Sequence, residues 1–379
     1  IPVNLVTSIP SIETYNNIIN KKYHVTKLEK RYKESPLPNI EIINLRKEIL
    51  NKETWIAGKT INKVNQYLDK GDQVLFFLNR RGYAPFVICK KCGYKFQCPN
   101  CALNLNFHKK LNKLLCHHCG HKSFLSRVCK DNKNCDFQFC GPGVERIYSE
   151  LKKIYPAKKI EIFSSDTLKK NEFTNELLKK VEKRKIDILV GTQLLSKGFH
   201  FPKLNCIVVV DTDFSSHGYD LRSAEKNIQL YHQLSGRAGR EGDRSTIYFQ
   251  TYTPNDEILL NISKNNPDEF LQKELLLRKE KKLPPFYRLI SLIISGRKES
   301  LIMKFANNVK SKLPKMNEVN VLGPVSAPIA KLKKNYRCRI LIRYPKSLFI
   351  QKYLSQSLNK IKITSGIKLE VDVDPINFS

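Results

Sequence analysis

Five short runs of β-branched and aromatic residues punctuate the chain: QVLFFLN (73–79), KIEIF (159–163), IDILVG (186–191), CIVVVD (206–211) and STIYFQ (245–250). Their apolar residues are nearly continuous rather than alternating, the pattern of strands buried on both faces of a parallel sheet. Polar segments compatible with helix separate most of them, for example LKKNEFTNELLKKVEKR before IDILVG. Strands alternating with helices predict an open α/β domain whose functional loops gather at the carboxyl ends of the strands. After about residue 256 the pattern changes. DEILLNISKNNPDEFLQKELLLRKEKK reads as helix, Pro284 and Pro285 break it, and YRLISLIIS, RCRILIRYP and KLEVDVDP read as strands around a helical KESLIMKFANNVKSKL. A small α+β domain is expected there. The longest apolar runs, LISLIISG and CIVVVD, are strand-sized and fall well short of the roughly 20 residues that span a bilayer. No membrane role is expected, and there is no internal repeat.

The first gap breaks the alternation. Between QVLFFLN and KIEIF lie roughly 80 residues that hold nine of the eleven cysteines. They run Cys89-x2-Cys92-x5-Cys98-x2-Cys101-x14-Cys116-x2-Cys119-x9-Cys129, followed by Cys135 and Cys140. Three C-x-x-C pairs present thiolates at the spacing of a tetrahedral Zn²⁺ site, and Gly93 and Gly120 let the chain turn just after a pair. Eight ligands suit two four-cysteine sites. Cys129 lacks a partner at knuckle spacing, so Cys135 is taken as the eighth ligand and Cys140 as a spare thiol. An iron–sulfur cluster is the competing cofactor, and a disulfide framework is disfavoured in a reducing compartment. His108, His117, His118 and His121 are expected beside the ligands rather than among them. The insertion holds itself together through metal, and its basic and aromatic residues, such as Lys90, Lys91, Tyr94 and Lys95, also suit contact with DNA bases or another protein.

Charge narrows the partners. Lys and Arg number 67 against 35 Asp and Glu, leaving +32 spread along the chain in blocks such as KKNEFTNELLKKVEKRK. Such a balance attracts a polyanion, nucleic acid above all, although a genome rich in A and T also enriches Lys, Asn and Ile.

Two segments supply candidate chemistry. VGTQLLSKGFHFP (190–202) places Thr192, Gln193 and Lys197 at the carboxyl end of a strand, with Gly198 allowing close backbone approach to a nucleic-acid backbone or a triphosphate. QLSGRAGR (233–240) follows a helix-compatible run and carries Gln233, Arg237 and Arg240, the arginines held at fixed spacing by Gly236, Ala238 and Gly239. Guanidiniums delivered to a γ-phosphate stabilise the charge that develops during hydrolysis. Arg80 and Arg81, just after the first strand, either bind phosphate backbone or cap the sheet. Two further segments mimic phosphate-site motifs. Gly58-Lys59-Thr60 ends like a P-loop, but Glu53 stands where its first glycine belongs and polar RKEILNKETW replaces the preceding strand. Asp211-x-Asp213 follows a strand like an acidic metal-binding pair, yet lies between the two arginine and threonine segments, the wrong order for one.

These segments, with FLNRRGYAP (77–85), GPGVERI (141–147), DTDFSSHGYDLRSAEKNIQLYHQLSGRAGR (211–240), LPPFYRLI (283–290), LGPVSAPIAKLKKNYRCRILIRYP (322–345) and DVDP (372–375), occur in order from end to end. In them the chain resembles the carboxyl-terminal part of the primosomal replication-restart helicases of superfamily 2. The resemblance implies a RecA-like α/β lobe with an inserted two-zinc module and an α+β tail, in a DNA helicase that moves 3′ to 5′ on ATP with Mg²⁺. It implies recognition of stalled or repaired forks, D-loops and single strands, and primosome assembly with primosome proteins and single-stranded DNA-binding protein. A monomer in the bacterial cytoplasm, at forks on the nucleoid, is expected.

Carried onto this chain, the resemblance gives Gln233, Arg237 and Arg240 to motif VI, and Thr192, Gln193, Lys197 and Gly198 to motif V. LVTSIPSIET gives Thr7 and Ser8 to motif III, with Ile9 replacing the threonine of the usual S-A-T-P. It nests the metals, Cys89, Cys92, Cys129 and Cys135 on one and Cys98, Cys101, Cys116 and Cys119 on the other. The implied order is the end of the first lobe and a linker (1–39), the second lobe in two parts (40–88 and 141–255), the cysteine insertion (89–140) and the tail (256–379). Val144 stands where the family's GPGTE has threonine. IPVNLVTS does not open on methionine, and the family's Walker A and B motifs are expected upstream on a first lobe, without which the chain should not hydrolyse ATP. The alternative is a non-enzymatic zinc-dependent protein that binds DNA or docks on the primosome.

Overall fold

The computed structural model describes residues 3–28, 36–51, 54–79, 87–100, 104–108, 113–116, 119–125, 129, 135–138, 142–163, 171–192, 201–210, 212–214, 220–239, 244–264, 266–332 and 334–376. Among these residues the chain opens on α1 (Ile12–Ile19), capped by Ser11, whose side chain accepts from the Thr14 amide. Then come β1 (Asn39–Asn44), α2 (Gly58–Leu68) and β2 (Gln73–Phe77). The cysteine insertion contributes β3 (Ile88–Cys89), β4 (Asn106–His108), β5 (Lys113–Leu115), β6 (Lys122–Phe124) and β7 (Phe137–Gln138). The α/β pattern resumes with α3 (Val144–Ile154), β8 (Ile160–Phe163), α4 (Asn171–Glu182), β9 (Ile188–Gly191), β10 (Leu204–Val209), α5 (Ser223–Ser235) and β11 (Thr246–Thr251).

The large sheet is parallel throughout, in the order β1-β11-β10-β2-β9-β8. Because side chains alternate across a strand, each apolar run feeds two cores. Leu75, Phe77, Leu189, Ile207, Val209, Ile247 and Phe249 enter one, which also takes Tyr231 and Leu234 of α5. Val74, Phe76, Ile188, Val190, Val208 and Tyr248 enter the other, with Val64 of α2 and Ile147 and Leu151 of α3. The five expected strands are present. β1 is a sixth that the apolar pattern does not announce: its NIEIIN mixes polar and apolar residues because it lies at the sheet edge and pairs only with β11.

Two helices expected in the tail belong instead to this lobe. After α6 (Glu257–Ser263) and α7 (Pro267–Glu280), the chain has placed Leu259, Ile262, Phe270 and Leu271 in the first of the two cores, together with Ile9, Ile12 and Tyr15 from the amino-terminal segment. Their apolar faces are covered by the parallel lobe, so the change in composition at residue 256 is not a change of core. The new core begins at β12 (Tyr287–Gly296) and continues through α8 (Glu299–Lys312), β13 (Asn320–Leu332), β14 (Asn335–Pro345), α9 (Gln351–Asn359) and β15 (Ile367–Val373). This is a β-α-β-β-α-β unit with an antiparallel sheet ordered β13-β14-β12-β15, the split βαβ arrangement. β13 is the strand its sequence hides. Gly323, Pro324 and Pro328 read as a loop, but the strand is at an edge and carries register shifts, where proline is tolerated. Among the described residues no helix is long and apolar enough to cross a membrane.

Candidate nucleotide and metal sites

α5 carries the arginine segment and fixes it from both ends. Arg222, Glu225, Gln229 and Gln233 are spaced three or four apart and so share one helical face. The residue 9–13 segment lies along that face. Gln229 Nε2 donates to the Ile9 carbonyl at 3.4 Å, the Ile12 amide donates to Glu225 Oε2 at 3.4 Å, and Arg222 Nη1 donates to Glu13 Oε2 at 2.7 Å. Gln233, one turn on from Gln229, is exposed. Past the helix end the Arg237 amide donates to the Leu234 carbonyl at 2.8 Å, and the arginine is half-buried. Ala238 is fully buried in the lobe core, and Gly239, at φ +66°, donates to the Leu204 carbonyl. The small residues of GRAGR therefore pin the turn to the sheet, while Arg237 stands outside that anchor. Arg240 lies outside the described residues, as do Gln193, Lys197, Gly198, Arg80 and Arg81. Thr192 is buried at the end of β9, its amide donating to the Phe163 carbonyl at 3.4 Å.

Thr7 Oγ1 donates to the Ile9 carbonyl at 2.7 Å, and Thr7 and Ser8 are exposed. Ile9 is only 1% exposed, with its side chain in the lobe core. At this position an isoleucine contributes apolar packing.

The base of α5 holds a buried ion network that no local motif signals. Arg278 of α7, 3% exposed, pairs with Glu225 at 3.0 Å, Glu274 at 2.9 Å and Glu13 at 3.6 Å. Three carboxylates face two guanidiniums, so one negative charge is in excess. Burial pushes the Glu225 carboxyl up despite Arg278 and Arg222. For Glu13 burial acts in the same direction, but the hydrogen bond and charge of Arg222 outweigh it and lower the value. The network ties α1, α5 and α7 together. Asn79, at the end of β2, adds another link missed in the sequence, donating to Asn227 of α5 at 2.9 Å.

The two segments that mimic phosphate sites have other work. Gly58-Lys59-Thr60 is the first turn of α2, where Thr60 is fully buried and donates to Gln250 Oε1 at 2.6 Å. Asp213 is buried and accepts from Thr251 Oγ1 at 2.8 Å, the Tyr252 amide at 2.7 Å and Thr253 Oγ1 at 2.6 Å. Lys95 of the cysteine insertion lies 3.6 Å from the same carboxylate. Asp211 lies outside the described residues.

Within the insertion the cysteines gather in two groups. The sulfurs of Cys89, Cys129 and Cys135 all lie within 4.8 Å of one another, as do those of Cys98, Cys116 and Cys119. Cys92 is within side-chain hydrogen-bond reach of Cys129. Cys101 and Cys140 lie outside the described residues. The knuckle turns are formed: the Gly93 amide donates to the Cys89 carbonyl at 2.7 Å and the Gly120 amide to the Cys116 carbonyl at 2.9 Å, both glycines at positive φ. Burial raises the Cys89 thiol, but backbone amides of Cys92, Asp136 and Lys91 outweigh it and bring its pKa to about 7. Sulfurs this close, with amides turned toward them, fit a tetrahedral thiolate site for Zn²⁺.

The helicase conserved C-terminal domain matches residues 120–242, the PriA DNA helicase Cys-rich region domain residues 98–123 and the primosomal protein N C-terminal domain residues 279–376. The chain is 42% identical over 375 residues to the replication restart protein PriA of Rickettsia conorii, covering 99% of this chain and 58% of that protein. It is 31% identical over 381 residues to that of Bacillus subtilis, covering 99% and 47%, and 32% identical over 384 residues to that of Haemophilus influenzae, covering 100% and 52%. The chain thus spans about half the length of the curated relatives it matches.

Proposed function

We propose that the chain, similar over 99% of its length to the replication restart protein PriA of Rickettsia conorii, is a member of that family and forms the second motor lobe, zinc module and tail of an ATP-dependent 3′–5′ DNA helicase that restarts replication. The carrying observation is the anchored turn after α5, which holds Arg237 outside a core-pinned Ala238 and Gly239. In this reading Arg237 and Arg240 stabilise charge on the γ-phosphate of ATP held with Mg²⁺ on a first lobe, and Gln233 orients the hydrolytic geometry. Thr192, Gln193, Lys197 and Gly198 couple nucleotide to DNA, with Thr7 and Ser8 at the joint between lobes. Arg80 and Arg81 contact the DNA backbone.

Two zinc ions complete the assembly, one on Cys89, Cys92, Cys129 and Cys135, the other on Cys98, Cys101, Cys116 and Cys119. They supply structural cross-links, and the basic surface around them meets forked DNA, primosome proteins and single-stranded DNA-binding protein. The protein acts as a monomer in the bacterial cytoplasm.

The test is Arg237→Ala in the full-length protein. DNA-stimulated ATP hydrolysis should fall by about 10³-fold while nucleotide and DNA binding stay within a few-fold. Unchanged turnover would remove Arg237 from the hydrolytic machinery. Without a phosphate-binding first lobe the 379-residue chain should show no DNA-stimulated hydrolysis, and robust turnover by the purified chain would refute that division of labour.

A further inference from the structure

β14 reads Tyr-Arg-Cys-Arg-Ile-Leu-Ile-Arg-Tyr over residues 336–344. Strand alternation sends Cys338, Ile340, Ile342 and Tyr344 into the tail core beneath α8 and α9, and so places Arg337, Arg339, Leu341 and Arg343 on the opposite face. That face is covered by the rest of the molecule. Leu341 and Leu289 pack there with Leu221 of the parallel lobe, Arg343 Nη1 donates to the Lys281 carbonyl at 3.1 Å, and Arg339 is 3% exposed.

Val325 of β13 is the register partner of Arg339. A Cβ on Gly120 would stand 3.8 Å from the Val325 Cβ, so the knuckle formed by Cys116 and Cys119 rests beside Arg339. Cys116 and Asp220 are the negative groups that act on the enclosed Arg339 guanidinium. Four thiolates on one divalent ion carry two net negative charges, and buried charge is costly unless balanced.

We propose that Arg339 supplies the counter-charge for the inner cysteine site, so that metal retention there and docking of the C-terminal domain on the zinc module are one linked equilibrium. The inference rests on the zinc reading of the cysteines. Linkage is reciprocal: the docked domain slows loss of the inner ion, and loss of that ion loosens the domain. The outer site provides an internal control. Its knuckle glycine, Gly93, rests on Tyr252 and Thr253 just past β11 and on the Arg46 guanidinium, so its neighbours lie in the parallel lobe rather than the C-terminal domain.

The test is zinc release from the intact 379-residue chain into excess chelator, followed with a colorimetric zinc indicator, for the native chain, Arg339→Met and Arg339→Lys. Arg339→Met should release one zinc equivalent on the order of tenfold faster, with the other unchanged, and Arg339→Lys should restore most of the retention. Amide exchange over residues 287–373 should rise when the inner ion is removed. Native release rates for both equivalents in Arg339→Met would overturn the proposal. So would equal acceleration of both with no rescue by lysine, since that reports general unfolding. A native chain that retains no zinc would fail the metal reading itself, and this inference with it.

Discussion

The parallel lobe and the cysteine insertion solve the same problem by different physics. The lobe buries long apolar runs on both faces of its sheet, with Phe76, Phe77, Phe249 and Tyr231 almost fully enclosed. Among the described residues the insertion has strands of two or three residues and a core of Val87, Phe96, Leu105 and Leu114 beside its cysteines, with Tyr94, Phe107, Leu125 and Phe137 packed against it. Strands so short with so small a core are not stable through apolar burial alone. Metal held by the two cysteine groups would make good that deficit and let the module interrupt the lobe between β2 and α3 while adding little besides Ile88 to the lobe core. Among the described residues its docking contacts on the lobe include Gly93 against Tyr252 and Thr253, and Lys95 against Asp213.

The contrast breaks most visibly on removal of metal. Structural zinc contributes roughly 10 kcal/mol or more to modules of this kind. Chelation should therefore abolish amide protection in β4, β5 and β6 while the parallel strands keep theirs, as read by hydrogen exchange. Collapse of both regions together would mean that they share one cooperative unit.

The reverse perturbation is Phe249→Ala, which empties a fully buried ring from the lobe core. It should cost about 3–5 kcal/mol in a thermal or denaturant melt, with the zinc content of the folded protein unaltered.

A matched pair of glycine substitutions sharpens the docking claim. Gly71 and Gly93 have nearly the same φ, +76° and +75°. A Cβ at Gly71 meets nothing within 4 Å, whereas one at Gly93 would come within 2.5 Å of the Tyr252 carbonyl oxygen. Gly71→Ala should cost about 1 kcal/mol for backbone strain alone. Gly93→Ala should cost about 2–3 kcal/mol or more and expose the knuckle to proteolysis. Equal losses would mean that the insertion is not seated on Tyr252.

The smallest effect expected is a pH dependence confined to the lobe. Burial holds the His232 imidazole of α5 below its ordinary value of 6.5. The unfolded chain then takes up the proton first, so this stability is complete above about pH 6.5 and is lost as pH falls toward the folded value. Melts between pH 7.5 and 5.5 should lose stability from this source as pH falls, and His232→Gln should flatten that limb.

What the sequence made legible was local. Continuous apolar runs announced β2, β8, β9, β10 and β11, because a strand buried on both faces is mostly apolar and admits a polar residue only where it is hydrogen-bonded, as Gln250 is to Thr60. Cysteine pairs at knuckle spacing announced two groups of sulfurs for the same reason of proximity. Features built from distant residues were not visible. Glu13, Arg222 and Arg278 meet across more than half the chain, and only their burial distinguishes them from the many charges on the surface. The edge strands β1 and β13 escaped because edges tolerate the polar residues and prolines that usually mark loops. Asp213 resembled an acidic catalytic motif, yet its hydrogen bonds make it the anchor for Lys95 and the end of β11.

The most direct measurement is metal analysis combined with zinc X-ray absorption on the purified chain. Two zinc ions per chain, each with four sulfur neighbours at about 2.3 Å, is the result expected if metal builds the insertion. A single ion, or a first shell containing nitrogen or oxygen, would contradict the account.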